Sequence, residues 1–195
     1  MKLMSSFAKR VPMTIREYRL LPEDGKRWEL FEGDFLVTPA PTPLHQKVSR
    51  RLQHALMTQL EDTGLAEVIN APIDIVFDEF NVLQPDIVII SSARTSIITE
   101  RAVEGAPDVV VEILSPSTRD RDRHMKFRLY ERFSVREYWI VDPNHGFLEA
   151  HRLVDSSYQL RERHDRASTL HCPEFPTLQI PLAPIFDIKS RASES

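Results

Sequence analysis

Two acidic residues interrupt strand-like apolar runs in this sequence. Asp86 lies in PDIVII, at 85–90, and Glu112 lies in VVVEIL, at 109–114. Burying a carboxylate is costly unless a metal ion or a cation compensates its charge. Because neighbouring strands lie ~4.8 Å apart, Asp86 and Glu112 can share one divalent ion if their strands are adjacent. The simpler alternative is that Asp86 only begins a strand and that Glu112 pairs with a structural arginine.

A lysine on the next predicted helix can reach these carboxylates. Residues 118–133 have helical periodicity. The apolar stripe of this helix consists of Met125, Leu129 and Phe133. Lys126 falls ~20° from Phe133 around the helix axis, and Asp122 also lies within the stripe. We therefore expect Lys126 to face the sheet and extend towards Glu112. The alternative is that Lys126 snorkels along the helix edge into solvent.

The same helix and the residues after it are rich in basic side chains. They are Arg119, Arg121, Arg123, Lys126, Arg128, Arg132 and Arg136. Phosphate binding is one interpretation of this local positive charge, and a solvated face of ion pairs is the other. Arginines such as Arg121 and Arg128 are expected to point outward. The whole chain has a formal net charge of −4, which argues against a protein that binds nucleic acid by charge alone.

The elements that must position these residues follow the order α-β-β-β-α-β. The pattern predicts a helix at 44–62, strands at 67–77, 82–90 and 108–114, a helix at 118–133, and a strand at 136–141. Two further hairpins are predicted at 27–38 and 147–163. The nearly continuous β-branched runs are typical of strands that are covered on both faces. We therefore expect a single α/β domain over residues 1–195, with a central mixed sheet in which the Asp86 and Glu112 strands are adjacent.

Composition excludes several other classes of protein. The 195 residues include only five glycines, none closely spaced, which excludes a P-loop, a dinucleotide fingerprint and a glycine-flanked serine elbow. The single cysteine, Cys172, excludes an internal disulfide. No apolar run approaches the ~20 residues of a membrane helix, and the first ten residues lack the apolar stretch of a secretory signal. The cytoplasm is the expected location.

Several motifs together resemble those of one bacterial family. They are RWELFEG at 27–33, QPD at 84–86, PDVVVEILSPS at 107–117, Lys126 with Tyr130, and VREYWIVDP at 135–143. On these motifs the sequence is identified as a member of the Uma-two family of restriction-endonuclease-like proteins, in the PD-(D/E)XK nuclease superfamily. The resemblance covers about residues 13–186. It implies a restriction-endonuclease-like core with added β-hairpins, which agrees with the predicted order of elements.

The resemblance also implies a metal site. Asp86, Glu112 and the main-chain carbonyl of Ile113 would hold Mg²⁺ or Mn²⁺, since oxygen ligands suit such ions. The ion would polarise the scissile phosphate and lower the pKa of the attacking water. Lys126 would orient that water or stabilise the developing negative charge, and Glu29 would add a carboxylate to the metal cluster. The implied catalytic residues are therefore Glu29, Asp86, Glu112 and Lys126.

One position departs from the superfamily pattern, and one further residue matches the family. The superfamily lysine lies two residues after the glutamate, where this sequence has Leu114. The family resembles those superfamily members in which the lysine has moved to the following helix, and Lys126 fits that variant. His45, near the start of the first long helix, matches a family histidine. The alternative for His45 is a packed or helix-terminal residue.

Two functions remain open from the sequence. The first is a metal-dependent endonuclease that hydrolyses DNA phosphodiester bonds, and the second is a catalytically inactive nuclease-like fold that binds nucleic acid or a protein. The presence of all four polar residues favours the first. DNA is then the expected partner. Because no separate DNA-recognition domain is evident, we expect a homodimer, or a fused or bound partner, for sequence-specific cutting.

Overall fold

The two acidic strands lie side by side in a mixed sheet. The structure, a computed structural model, describes residues 11–22 and 24–188. Its strands are β1 (Arg27–Phe31), β2 (Asp34–Thr38), β3 (Ala66–Asn70), β4 (Ile75–Asp78), β5 (Asn81–Leu83), β6 (Ile87–Ser91), β7 (Val103–Glu104), β8 (Val109–Ile113), β9 (Glu137–Asp142), β10 (Phe147–Val154), β11 (Ser157–Asp165), β12 (Thr169–Cys172) and β13 (Phe175–Pro181). Its α-helices are α1 (Ile15–Tyr18), α2 (Pro43–Leu56), α3 (Phe127–Arg132) and α4 (Ala183–Phe186). A π-helical segment, Met57–Glu61, follows α2, and another, Arg121–Lys126, precedes α3.

The main sheet has six strands in the order β11-β10-β9-β8-β6-β3. β8 and β9 are parallel, and the other neighbours in this sheet are antiparallel. Along the chain, the elements that build the core of this layer are α2, β3, β6, β8, α3 and β9. The predicted α/β class and the order α-β-β-β-α-β are therefore confirmed.

Both faces of the main sheet are covered, which explains the continuous apolar runs. On one face, Ile87 and Ile89 of β6 share a buried cluster with α2 and with the β12–β13 hairpin. On the other face, Val88 and Ile90 of the same strand join a second cluster with α3 and with strands of another sheet. Because successive residues of a strand point to opposite faces, both sets must be apolar.

A second sheet has five strands in the order β2-β1-β5-β4-β7. The prediction of single strands at 67–77 and 82–90 was wrong. Each of these runs forms two strands, one in each sheet. The run at 67–77 breaks at Pro72 into β3 and β4, and the run at 82–90 breaks at Pro85 into β5 and β6. Proline has no N–H to donate to a strand ladder, so it ends pairing in a central strand.

The N-terminus of α2 is fixed by a side-chain cap. The Thr42 hydroxyl accepts a hydrogen bond from the His45 amide at 3.2 Å, and Pro43 occupies the first turn. Both features are typical of helix starts. They hold His45 at the end of the helix that lies nearest the acidic strands. The buried side chains Val48, Leu52 and Leu56 follow at helical spacing and confirm the predicted core face of this helix.

The predicted hairpins at 27–38 and 147–163 are confirmed as β1–β2 and β10–β11. The first ten residues, which carried the expectation about a secretory signal, lie outside the described residues. Within 11–22 and 24–188, none of the helices combines the length and the apolar character needed to cross a membrane.

Candidate active site

Asp86 and Glu112 lie at neighbouring ends of adjacent strands. β6 and β8 pair antiparallel, and the pairing ends with Ile87 opposite Val111, so Asp86 and Glu112 are the next residues beyond this pair. The Asp86 amide donates to the Val111 carbonyl at 3.2 Å, which keeps the two chain segments together past the end of β6. Neighbouring strands lie ~4.8 Å apart. The predicted adjacency of the two acidic strands is therefore present.

Asp86 is buried and surrounded by donors. Its Oδ2 accepts from the Ile113 amide at 2.8 Å and lies 3.0 Å from His45 Nε2, while its Oδ1 lies 3.7 Å from Arg27 Nη1. Burial opposes ionisation, but the hydrogen bond and charge of His45 and the Ile113 amide outweigh it and lower the pKa of Asp86. Asp86 is thus an ionised carboxylate in the interior of the protein.

Glu112 has the opposite electrostatic environment. It lies on the same face of β8 as Val110, and two donors reach it, one from the π-helical segment Arg121–Lys126 and one from α3. Its Oε1 accepts from Lys126 Nζ at 2.7 Å and from the Tyr130 hydroxyl at 2.8 Å. Burial raises the pKa of Glu112 to about 8 against the attraction of Lys126, and the nearby carboxylates Asp122, Asp86 and Glu29 add to the rise. Glu112 is consequently a group whose charge is sensitive to any added cation.

Lys126 is buried and joins two acidic side chains. Its Nζ lies 2.7 Å from Glu112 Oε1 and 2.8 Å from Glu29 Oε1, with Asp122 Oδ1 at 3.9 Å. Burial alone would lower the pKa of Lys126, but these carboxylates outweigh it and raise the pKa above its usual range. The lysine is therefore charged and fixed in position, and the alternative of a solvent-exposed lysine does not hold.

Glu29 lies behind Lys126 and not at the surface of the site. Its oxygens accept from the Gln84 amide at 2.9 Å and from the Thr38 hydroxyl at 3.0 Å, in addition to Lys126. Arg121 Nη1 lies 3.5 Å from Glu29 Oε2. Burial opposes its ionisation, yet the charges of Lys126 and Arg121 lower the pKa of Glu29. With all these donors on its oxygens, Glu29 is better placed to hold Lys126 than to add a carboxylate to a metal cluster.

The π-helical segment changes which side chains of the second helix face the site. In an α-helix, residues five apart differ by ~140° around the axis, whereas π geometry brings i and i+5 close together. Arg121 and Lys126 are five apart, and Arg121 points inward with its Nη2 donating to Thr38 Oγ1 at 3.0 Å. Met125, predicted in the buried stripe, is 40% exposed. The expectations for Arg121 and Met125 were therefore wrong, while Arg128 is exposed as predicted.

These side chains enclose a small cavity of about 20 Å³. Asp86, Glu112, Ile113, Asp122 and Lys126 are among the residues that line it. A space of ~10–15 Å³ is enough for one water molecule, so this cavity has room for a water or a bare ion and little more. Carboxylate and cationic side chains line it together with Pro39 and Pro41.

The donor set fits a hard divalent cation. Oxygen ligands are those that Mg²⁺ and Mn²⁺ prefer. The Oδ1 atom of Asp122 is buried without a hydrogen-bond partner, and burial raises the pKa of that carboxyl despite the nearby Lys126. Within the described residues, no group of three or more His, Cys, Asp or Glu side chains is assembled as a metal cluster. Lys126 and His45 instead occupy oxygen atoms of Glu112 and Asp86.

The structure thus brings together every residue that sequence analysis assigned to the site. Asp86, Glu112 and Ile113 line the cavity with Lys126, and Glu29 contacts Lys126 from behind. His45 also lines the cavity, where its Nε2 lies 3.0 Å from Asp86 Oδ2. It is therefore a residue of the site as well as a packed residue near the start of α2.

Sequence analysis did not assign Arg27, Asp122 and Arg121 to the site. Asp122 was recognised only as a member of the helix stripe, four residues before Lys126, and that spacing was the available signal. Nothing in helical periodicity alone indicates the inward Arg121.

Comparisons with known proteins identify the fold and the family of this chain. The fold matches a crystal structure from Anabaena variabilis, described as "a putative nuclease belonging to DUF820", with a TM-score of 0.75 and 20% identity over 90% of this chain and 98% of that one. The architecture is therefore that of a nuclease-like α/β fold. The family model Uma2, "Putative restriction endonuclease", matches residues 15–183, and the chain belongs to that family.

A curated relative is an uncharacterized protein of Synechocystis. It is 31% identical over 121 residues, which are 57% of this chain and 62% of that protein. The chain thus spans less than two thirds of the length of this relative. Family membership and the matched fold together support a nuclease-like function.

Proposed function

We propose that this protein is a metal-dependent endonuclease that hydrolyses DNA phosphodiester bonds. The observation that carries the proposal is the buried Lys126 ammonium, held 2.7 Å from Glu112 and 2.8 Å from Glu29 at the wall of a cavity that Asp86 also lines. Two carboxylates from opposed strand ends and one fixed cation are the groups that phosphodiester hydrolysis requires at a metal site.

Asp86 and Glu112 would hold a Mg²⁺ or Mn²⁺ ion, with the main-chain carbonyl of Ile113 as a third oxygen ligand. A bound divalent ion supplies polarisation of the scissile phosphate and a lowered pKa for the attacking water. Asp86 is suited to this role because its pKa is lowered and it is ionised before the ion arrives. Glu112 must exchange part of its contact with Lys126 and Tyr130 for the ion.

Lys126 would donate to the negative charge that develops on the phosphate oxygens. Its position is set by Glu29, which receives hydrogen bonds from the Gln84 amide and the Thr38 hydroxyl and therefore does not need to move. A donor that is already oriented stabilises the transition state without reorganisation during the reaction. Glu29 is thus a positioning residue in this mechanism.

A plasmid-nicking assay tests the proposal. Wild-type protein should nick supercoiled DNA with Mg²⁺ or Mn²⁺ and not with EDTA, and Asp86→Asn and Glu112→Gln should abolish both nicking and calorimetric Mn²⁺ binding. Arg128→Ala, which changes an exposed residue, is the control that should retain the chemistry at saturating DNA. Nicking that persists in both carboxylate variants, or unchanged Mn²⁺ binding in Glu112→Gln, would contradict the site.

The second candidate is a nuclease-like fold that binds nucleic acid or a protein without cutting. The observation in its favour is that Lys126 already contacts Glu112 Oε1 at 2.7 Å, and that the described residues contain no assembled three-ligand cluster. Wild-type protein that binds DNA but shows no metal-stimulated nicking would support this candidate over the first.

We further propose that the chain acts as a single domain, as a homodimer, and in the cytoplasm. Two copies would present two cutting sites to the two strands of a duplex. Sedimentation velocity with and without a DNA duplex tests the homodimer directly. A species of one-chain mass at all concentrations, including those at which nicking is observed, would refute it.

A further inference from the structure

A groove lined by both polar and apolar residues opens directly beside the candidate active site. Its volume is about 440 Å³, which is within the range of pockets that hold one small ligand. It shares four lining residues, Arg27, Pro41, His45 and Asp86, with the small cavity. Anything bound in the groove therefore lies next to the position at which a phosphate would be cleaved.

One wall of the groove is the polar face of α2. Gln46, Ser49, Arg50 and Gln53 line it. Their spacing of three, one and three residues places them on one side of the helix. The core contacts of this helix come from its other side, where Val48, Leu52 and Leu56 are buried. The polar face is thus not needed for packing of the main sheet.

The opposite wall is the turn after β3, and one hydrogen bond joins it to the helix. Gln53 Nε2 donates to Asn70 Oδ1 at 2.7 Å, so the Gln53 amide is held in one orientation. Asn70 also makes a longer bond of 3.4 Å from its Nδ2 to the Ala71 carbonyl. A fixed carboxamide offers a fixed pattern of donors and acceptors, which is the means by which proteins distinguish base edges.

The charge of the groove suits an anionic ligand. Its lining contains two arginines, Arg27 and Arg50, and one acid, Asp86. The Asp86 carboxylate is already engaged by His45 and by the Ile113 amide. In the described part of the chain Arg50 has no ion-pair partner, and its side chain is exposed. An arginine without a protein carboxylate is available to a phosphate or to a base edge.

We propose that this groove binds the nucleotide next to the scissile phosphate, and that Gln46, Arg50 and Gln53 recognise its base. The inference rests on the proposed nuclease function and deepens it, because it assigns base preference to the polar face of α2. Carboxamide side chains pair with adenine edges and arginine pairs with guanine edges. A groove with both would favour a purine at this position.

Sequencing of cleavage ends from a randomised DNA library tests the base preference. Wild-type protein should show a purine preference at a position adjacent to the cut. Gln46→Ala and Arg50→Ala should lower that preference about tenfold, the effect of losing one good base contact. Both residues are exposed, so the variants should fold. Gln159→Ala on β11 and Lys47→Ala on α2 are the matched controls, since neither residue lines the groove.

Binding of a fluorescent duplex in EDTA provides a readout independent of cleavage. Arg50→Ala should weaken binding at least fivefold, and Lys47→Ala less than twofold. If wild-type protein does not cut but this difference persists, the proposed nuclease fails while the nucleotide groove stands. Equal effects of Arg50→Ala and Lys47→Ala on binding, or an unchanged base preference in Gln46→Ala and Arg50→Ala, would overturn the groove assignment.

Discussion

Replacement of Lys126 by methionine should destabilise the protein strongly. Lys126 is 2% exposed and contacts two buried acidic side chains, so its removal leaves Glu29 without its cation and Glu112 without a hydrogen-bond donor. Breaking a buried ion pair in this way costs ~3–5 kcal/mol. From the sequence alone, a lysine that acts in the transition state is expected to be dispensable for folding. The burial of Lys126 predicts the opposite.

The magnitude should fall at the lower end of that range. The pKa of Glu112 is already raised to about 8 by burial and by neighbouring carboxylates. At neutral pH this carboxyl therefore holds a proton, and loss of Lys126 leaves a neutral group there instead of a buried unpaired charge. Glu29 keeps the Gln84 amide and the Thr38 hydroxyl. We therefore expect a loss of ~3 kcal/mol, which for a chain of this length lowers Tm by ~6–12 °C.

Urea denaturation in EDTA, followed by fluorescence of the buried Trp139, measures this loss. The double-mutant cycle of Lys126→Met with Glu112→Gln isolates the interaction. The double variant should be more stable than the sum of the two single losses predicts, by at least ~1 kcal/mol, because each single variant already loses the contact between Lys126 and Glu112. A loss below ~1 kcal/mol in Lys126→Met, or strict additivity in the cycle, would refute the buried bridge.

Three further predictions concern metal binding, pH and DNA affinity. Mn²⁺ at 100 times its Kd should stabilise wild-type protein by ~2.7 kcal/mol in thermal unfolding but not the Asp86→Asn variant, and an equal shift in both would exclude this site. Burial lowers the pKa of His164, so stability is complete above the unfolded pKa of 6.5 and is lost as pH falls towards the lowered folded value. His164→Leu should flatten the stability curve between pH 7 and 5, and an unchanged curve would contradict this assignment. Arg128→Ala should weaken DNA binding and reduce the salt slope by ~1, which titrations at several salt concentrations would detect.

Local patterns of residues were enough to identify the acidic pair and the elements that carry it. Apolar runs on both sides of Asp86 and Glu112 required two-sided burial, and a buried carboxylate required a partner. The order α-β-β-β-α-β followed from local periodicity, which depends on neighbouring residues only. The contact of Lys126 with Glu112 was predicted from the angular position of Lys126 on the next helix. That prediction is correct although the segment Arg121–Lys126 is π-helical.

The division of the apolar runs at 67–77 and 82–90 between the two sheets could not be predicted from local patterns. The breaks fall at Pro72 and Pro85, and the sheet that each half joins depends on which strand edges are free to pair. Those edges belong to segments distant in sequence, such as the β1–β2 hairpin, which supplies Glu29 to the site. Local patterns contain no information about such partners, because strand pairing is a non-local interaction.

The orientation of the second helix was likewise decided by tertiary contacts. Arg121 points inward and Met125 is exposed, the reverse of the prediction, because the segment Arg121–Lys126 is π-helical. A π-helical turn is locally unfavourable and persists where surrounding contacts favour it, often at functional sites. Here the contacts of Lys126 with Glu112 and of Arg121 with Thr38 provide that support. Periodicity with a fixed 3.6-residue turn cannot indicate such a segment, since the energy that selects it comes from residues on other elements.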